Sequence, residues 1–232
     1  TDALCAIGTF HFNNPTYAFP SIDEKLSIKG EALGHPLIAS VERINNDFSQ
    51  GNPESIMIVT GANMAGKSTF LRAVGVNVVL ALTGSPVCAK TFSCPVIGLR
   101  SGMRTSDSLQ EHQSYFYAEL HRLQSIMEDL RSGKPLLILL DEILKGTNST
   151  DKQSGSIAIV EQLVKLNALV LLATHDVILG ELQSRFPGQV NNGCFESQVD
   201  GTRLTFDYKL KPGVAQKANA TFLMKQMGII PS

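Results

Sequence analysis

The sequence has no tryptophan, only 6% aromatic residues and no excess of either charge, since 20 Lys and Arg stand against 21 Asp and Glu. A nucleic-acid-binding face announces itself as a basic block or stripe. None is present in the 232 residues, so direct DNA or RNA contact is not expected from them. Long apolar runs are also missing. No stretch reaches the roughly 20 residues of a membrane-spanning helix, and no membrane contact is expected. Thr1 opens the chain without a methionine or a charged-then-apolar leader, which reads as a piece of something longer. The four cysteines, Cys5, Cys88, Cys94 and Cys194, show no C-x-x-C spacing, and no His/Cys/carboxylate set has zinc spacing. Free thiols in a reducing compartment are expected, hence a cytoplasmic location.

With 43% hydrophobic residues the chain can bury one substantial core, and it reads as a single large α/β domain. Its organising stretch is Gly61-Ala62-Asn63-Met64-Ala65-Gly66-Lys67-Ser68-Thr69. This matches G-x-x-x-x-G-K-[ST], a phosphate-gripping P-loop, and it lies between the apolar strand Ile56–Val59 and a run of helix formers. Backbone N–H groups of such a turn, and the positive end of the following helix, face one spot and hold an anion there. Lys67 is placed to reach the β- and γ-phosphates, and the Ser68 hydroxyl to ligate Mg²⁺.

Around this stretch the chain reads as alternating elements. Residues 1–20 suggest the tail of a helix and an extended lead-in. Gly34–Ile38 reads as a turn ending in a short strand, and Asn45–Pro53 as hairpin or loop chemistry. A helix is expected from Lys67 through Leu71, Val74, Val78 and Leu82, stopping at Gly84-Ser85-Pro86. Between Cys88 and Ser106 short strands are expected, broken at Cys94-Pro95 and Ser101-Gly102, with Val96–Leu99 as the best candidate. A long helix follows with Phe116, Leu120, Leu123, Met127 and Leu130 on its buried stripe, leaving Glu119, Arg122, Glu128 and Arg131 to solvent. Leu136–Leu140 and Ala168–Ala173 are continuous apolar runs of the kind buried on both faces of a parallel sheet, with a helix over Gly155–Leu166 between them. From Val190 the alternation turns antiparallel, with a hairpin turn at Asp200-Gly201, and Ala218–Met227 closes as a helix.

Each apolar run ends in polar residues: Asp141-Glu142 after the first, Thr174-His175-Asp176 after the second. In an open α/β sheet ligands collect at the carboxyl ends of the strands, so Gly61, Asp141 and His175 are expected to face one crevice. Asp141 then holds Mg²⁺ through its water shell, Glu142 orients or deprotonates an attacking water, and His175 senses the γ-phosphate.

Taken together, Thr60–Thr69, Leu140-Asp141-Glu142-Ile143, Gly146–Thr150 and Ala173-Thr174-His175 resemble the ATPase domain of MutS-family proteins. Gly34-His35-Pro36, Asn46-Asp47, Tyr208-Lys209-Leu210, Gly213, Asn219-Ala220 and Met227-Gly228-Ile229 extend the resemblance over nearly the whole chain. It implies a P-loop NTPase fold of ABC type, with a mostly parallel central sheet flanked by helices and an antiparallel β portion. Residues 1–20 correspond to the end of a lever-helix region, and 21–232 to the ATPase domain. The resemblance further implies ATP and Mg²⁺ as cofactors and a homodimer through the nucleotide sites, in which Ser114 completes the partner's site. Asn63 contacts the phosphates in this scheme, and Arg43 and Ile44 occupy the place where adenine packs. Mismatched or structured DNA is then engaged by upstream domains that these residues do not include. Ala62 and Ala65 replace the family's Pro and Gly, Leu144-Lys145 its Gly-Arg after the carboxylates, and His112-Gln113 its Gly-Arg before the serine. These departures imply a divergent MutS-related member. Two other classes are weighed: a nucleotide-dependent dimerisation switch with negligible turnover, and a transporter-type subunit, for which the Leu-Ser-Gly-Gly-Gln signature is missing.

Overall fold

The computed structural model describes residues 1–103, 115–166, 168–200, 203–216 and 229–230. The apolar runs form the middle of the larger sheet. Its parallel strands are β4 (Ile56–Gly61), β6 (Gly98–Gly102), β7 (Leu136–Asp141), β8 (Leu169–Thr174) and β9 (Val190–Asp200), and β10 (Arg203–Pro212) joins antiparallel at one edge. The strand order is β10-β9-β4-β8-β7-β6. A smaller sheet, ordered β1-β5-β2-β3, is built from β1 (Ser21–Ile22), β2 (Ser27–Leu33), β3 (Asn46–Gly51) and β5 (Thr91–Cys94). The chain is therefore mixed α/β with parallel and antiparallel strands.

Continuous hydrophobicity in β4, β7 and β8 has a direct cause. Successive side chains alternate between sheet faces, and here both faces are covered. Met57, Val59, Leu137, Leu139, Leu169 and Leu171 join one core with helix α2 (Lys67–Leu82) and the smaller sheet. Ile56, Ile58, Ile138, Leu140, Val170 and Leu172 join a second core with α3 (Tyr115–Arg131) and α4 (Ser149–Lys165). The amino-terminal helix α1 (Asp2–Asn13) has no buried residue. A short 3₁₀ turn at Val177–Glu181 and α5 (Leu182–Arg185) lead from β8 into β9.

The structure departs from the sequence pattern at several points. Asn45–Pro53 is not loop throughout: Asn46–Gly51 is β3, whose polar residues alternate with buried Asn46, Phe48 and Gln50. Gln50 hides its amide by donating to Ser55 O and Val170 O, both at 2.6 Å. No strand forms at Ile38. β6 starts at Gly98 rather than Val96, which is 73% exposed. Helix α4 begins earlier than Gly155, at Ser149, because the Asn148 side chain caps it by accepting from the Asp151 N–H at 2.9 Å. β9 is a parallel neighbour of β4, and only its pairing with β10 is antiparallel. Leu82 is 39% exposed, and Ala81 takes the buried place instead. Gly201 of the expected turn, the helix at 218–227 and Ser114 lie outside the described residues. All four cysteines are free, with Cys5 exposed. Among the described residues no helix is long and apolar enough to cross a membrane.

Candidate functional site

β4 delivers the chain into the glycine-bounded turn where its neighbour leaves no room for a side chain. Gly61 has φ +150°, and a Cβ there would lie 2.6 Å from the Phe195 carbonyl oxygen of β9. The turn closes at Gly66, the N-cap of α2, with φ +105°. Between them Met64, not Ala65, takes the left-handed backbone at φ +68°. The alanine in place of glycine thus costs nothing in φ, and Ala65 packs into the core at 1% exposure. Asn63 and Thr69 are exposed, while Ala62 and Ser68 are half-buried.

Lys67 is 5% exposed, and its ammonium donates to Gly61 O at 2.8 Å and Ala62 O at 2.9 Å. Burial pulls its pKa below the usual lysine value. The charges of Glu142 and Asp141 oppose that pull, and Lys145 adds to it. A buried cation resting on two neutral carbonyls is under-compensated, and an anion entering the turn supplies what it lacks.

Both carboxylates stand at the end of β7, which β8 separates from β4. Asp141 ends β7, is 6% exposed and pairs with Ala173 of β8. Glu142 follows in a left-handed conformation at φ +55°, its N–H donating to Ala173 O at 2.8 Å. Its Oε1 meets His175 Nδ1 at 3.1 Å and its Oε2 meets Lys145 Nζ at 3.2 Å. Burial raises the Glu142 pKa, but the hydrogen bond from His175 and the charge of Lys145 outweigh it, and the carboxyl sits below the usual glutamate range.

The loop, both carboxylates and Lys145 line one cleft of about 770 Å³. His175 touches the cleft only through Glu142. Ser68 and Asp141 line it together, and such hard oxygen donors fit a divalent cation of the Mg²⁺ type. At its other end the cleft is bounded by His35, Ile38, Arg43 and Ile44. Arg43 is wired in place: Nε donates to Asn45 Oδ1 at 3.1 Å, and Nη1 donates to Tyr17 OH at 3.0 Å and Ile38 O at 3.2 Å. Burial, above all, pushes the Tyr17 hydroxyl up to about 12.

Sequence reading assigned no role to Tyr208, yet it lines the cleft. The β9–β10 register shifts between Phe206 and Leu210, leaving Tyr208 at φ +52° with its ring 3.1 Å from where a Gly66 Cβ would stand. Asn46 holds that bulge, donating to Tyr208 O at 3.0 Å and accepting from Leu210 N–H at 2.7 Å. The alternation of Leu204, Phe206 and Leu210 gave no sign of it. The helical stripe leaves Glu119 to solvent, whereas its carboxylate accepts the Leu144 N–H at 2.7 Å.

A family model described as MutS domain V matches residues 57–231. The chain belongs to the MutS family. It is 34% identical over 225 residues to the DNA mismatch repair protein MutS of Thermotoga maritima, covering 95% of this chain and 27% of that protein. The MutS of Acetivibrio thermocellus is 31% identical over 237 residues, with 98% of this chain and 27% of that protein covered. For the MutS of Chlorobium chlorochromatii the figures are 30% over 239 residues, 98% and 26%. The chain thus spans about a quarter of the length of the MutS relatives it matches. The matched MutS segment contains the 61–69 turn, both carboxylates, His175 and Tyr208, and begins after Arg43 and Ile44.

Proposed function

We propose that this chain is the ATP-binding and ATP-hydrolysing dimerisation domain of a divergent MutS-related protein, with a P-loop NTPase fold of ABC type. The observation that carries this reading is the position of the buried Lys67 ammonium in one cleft with Ser68, Asp141 and Glu142, at the carboxyl ends of β4 and β7.

Lys67 exchanges the Gly61 and Ala62 carbonyls for the β- and γ-phosphates, which also receive backbone N–H groups of the 62–67 turn and Asn63. Ser68 and Asp141 would hold Mg²⁺, which would supply neutralisation of phosphate charge. Glu142 orients the attacking water in line with the γ-phosphate and takes its proton, while His175, bonded to Glu142, fixes that carboxylate and senses the phosphate. Arg43, Ile44 and Tyr208 border the adenine end. Ser114 of a second copy completes the site, so that hydrolysis and homodimerisation depend on each other. Residues 1–20 end a lever-helix region through which nucleotide state reaches upstream domains that engage mismatched or structured DNA.

Steady-state phosphate release from the wild type and Glu142→Gln tests this. Loss of the base lowers turnover by about 100-fold or more while ATP binding persists. A wild type and mutant equally inactive, with ATP still driving pairing, would make the chain a nucleotide switch instead. That outcome has its own structural motive, since both Glu142 oxygens are already engaged, one by the His175 ring and one by the Lys145 ammonium.

A further inference from the structure

The turn after β7 places two side-chain-bearing residues in left-handed backbone, Glu142 at φ +55° and Leu144 at φ +57°. Such a conformation persists only where the surroundings over-determine it. Here the surroundings are α3 and α4. Glu119 Oε1 of α3 accepts the Leu144 N–H at 2.7 Å. The Leu144 side chain, 5% exposed, occupies space that Gly155 of α4 leaves open, where a Cβ would fall 2.6 Å from Leu144 Cδ1. Phe116 of α3 lies against Gly146, where a Cβ would fall 2.7 Å from Phe116 Cβ. Glu119 Oε2 is buried without a protein partner among the described residues. It belongs to a residue lining a cavity of about 40 Å³ whose walls also include Asp141 and Glu142. That volume is room enough for one water.

We infer that Glu119 is a positioning residue for Glu142. Its carboxylate pins the Leu144 amide directly and the carboxylate end of β7 through one water, fixing the turn so that Glu142 points at the reacting phosphate. The role rests on the proposed function, in which Glu142 acts on the attacking water. It separates binding from turnover, because Glu119 does not line the nucleotide cleft.

The test uses the full chain with Glu119→Ala, Glu119→Gln and Glu119→Asp, reading kcat, ATP affinity by calorimetry, and amide hydrogen exchange at Leu144. Glu119→Ala should lower kcat by about 10- to 100-fold and leave ATP affinity within about twofold, as a misplaced but intact general base does. It should also speed Leu144 exchange by about tenfold or more, as the loss of a protecting acceptor does. Glu119→Gln keeps an oxygen acceptor and should restore most of both; Glu119→Asp is too short and should not. The Gln and Asp pair decides the matter if the alanine variant fails to fold. Unchanged Leu144 exchange and unchanged kcat in Glu119→Ala, or a loss confined to ATP affinity, would overturn the assignment. A wild type that binds but never hydrolyses ATP would remove the proposed function, and the exchange measurement would still judge whether Glu119 holds the turn.

Discussion

At the residue scale the site is a problem of charge. Lys67 is kept in a place that disfavours its own protonated form, and burial is the largest reason. Replacing it with methionine removes that desolvation cost, so Lys67→Met should raise the Tm of the nucleotide-free protein and weaken ATP binding by at least about tenfold. A thermal melt and a titration check the two halves, and a lowered Tm would contradict the electrostatic account. Glu142 carries the opposite imbalance. Its carboxyl is held low by His175 and Lys145 against burial, so these contacts stabilise the fold above the ordinary glutamate value of 4.5 and are lost as pH falls through the lower folded value. Lys145→Met should therefore raise the Glu142 pKa and move the acid limb of the pH–rate profile upward, whereas a profile that stays put would show that Lys145 does not hold the carboxylate. Lys67, Asp141 and Glu142 were legible because each stands at or directly beside the end of an element at a motif position. Tyr208 and Glu119 were not: one depends on a bulge held by Asn46, far away in sequence, and the other on a turn in left-handed backbone. Neither leaves a trace in local periodicity.

At the element scale, the strands buried on both faces could be read from their unbroken hydrophobicity, and α2 from its spacing. In the smaller sheet β5 falls among the short strands expected after Cys88, whereas β2 and β3 were not legible because they are polar and irregular, and Gln50 of β3 is satisfied by a long-range bond to Val170. Asn77 shows the same blindness. It sits within an apolar helix, fully buried, and its side chain donates to Gly34 O at 2.9 Å and accepts from Cys88 N–H at 2.7 Å. Asn77→Ala strands these backbone groups and should cost about 2–3 kcal/mol. Denaturant unfolding measures it, and a change below about 0.5 kcal/mol would mean the 34–44 segment is held by other contacts. Gly155→Ala sets two elements against each other. Alanine favours the helix by about 1 kcal/mol, but its Cβ would stand 2.6 Å from Leu144 Cδ1, and overpacking of about 1–3 kcal/mol should win. A stabilised Gly155→Ala would show that Leu144 can move aside freely.

At the scale of the whole molecule, the chain is near-neutral in charge and spans about a quarter of the length of the MutS relatives it matches. The mixed sheet brings Gly61, Asp141 and Glu142 to one end because β4, β8 and β7 are neighbours and parallel, a consequence of topology that strand-end motifs alone anticipated. The proposed pairing of two copies rests on the family resemblance alone, because Ser114 lies outside the described residues. The central claim is that the cleft where these strands end binds a nucleoside triphosphate and its divalent cation. A crystal structure of the chain soaked with Mg²⁺ and a non-hydrolysable ATP analogue tests it most directly. The account predicts the triphosphate within the 61–69 turn, Lys67 swung from the carbonyls onto it, and the metal between Ser68 and Asp141; nucleotide bound elsewhere, or Lys67 still on Gly61 and Ala62 beside an occupied cleft, would contradict it.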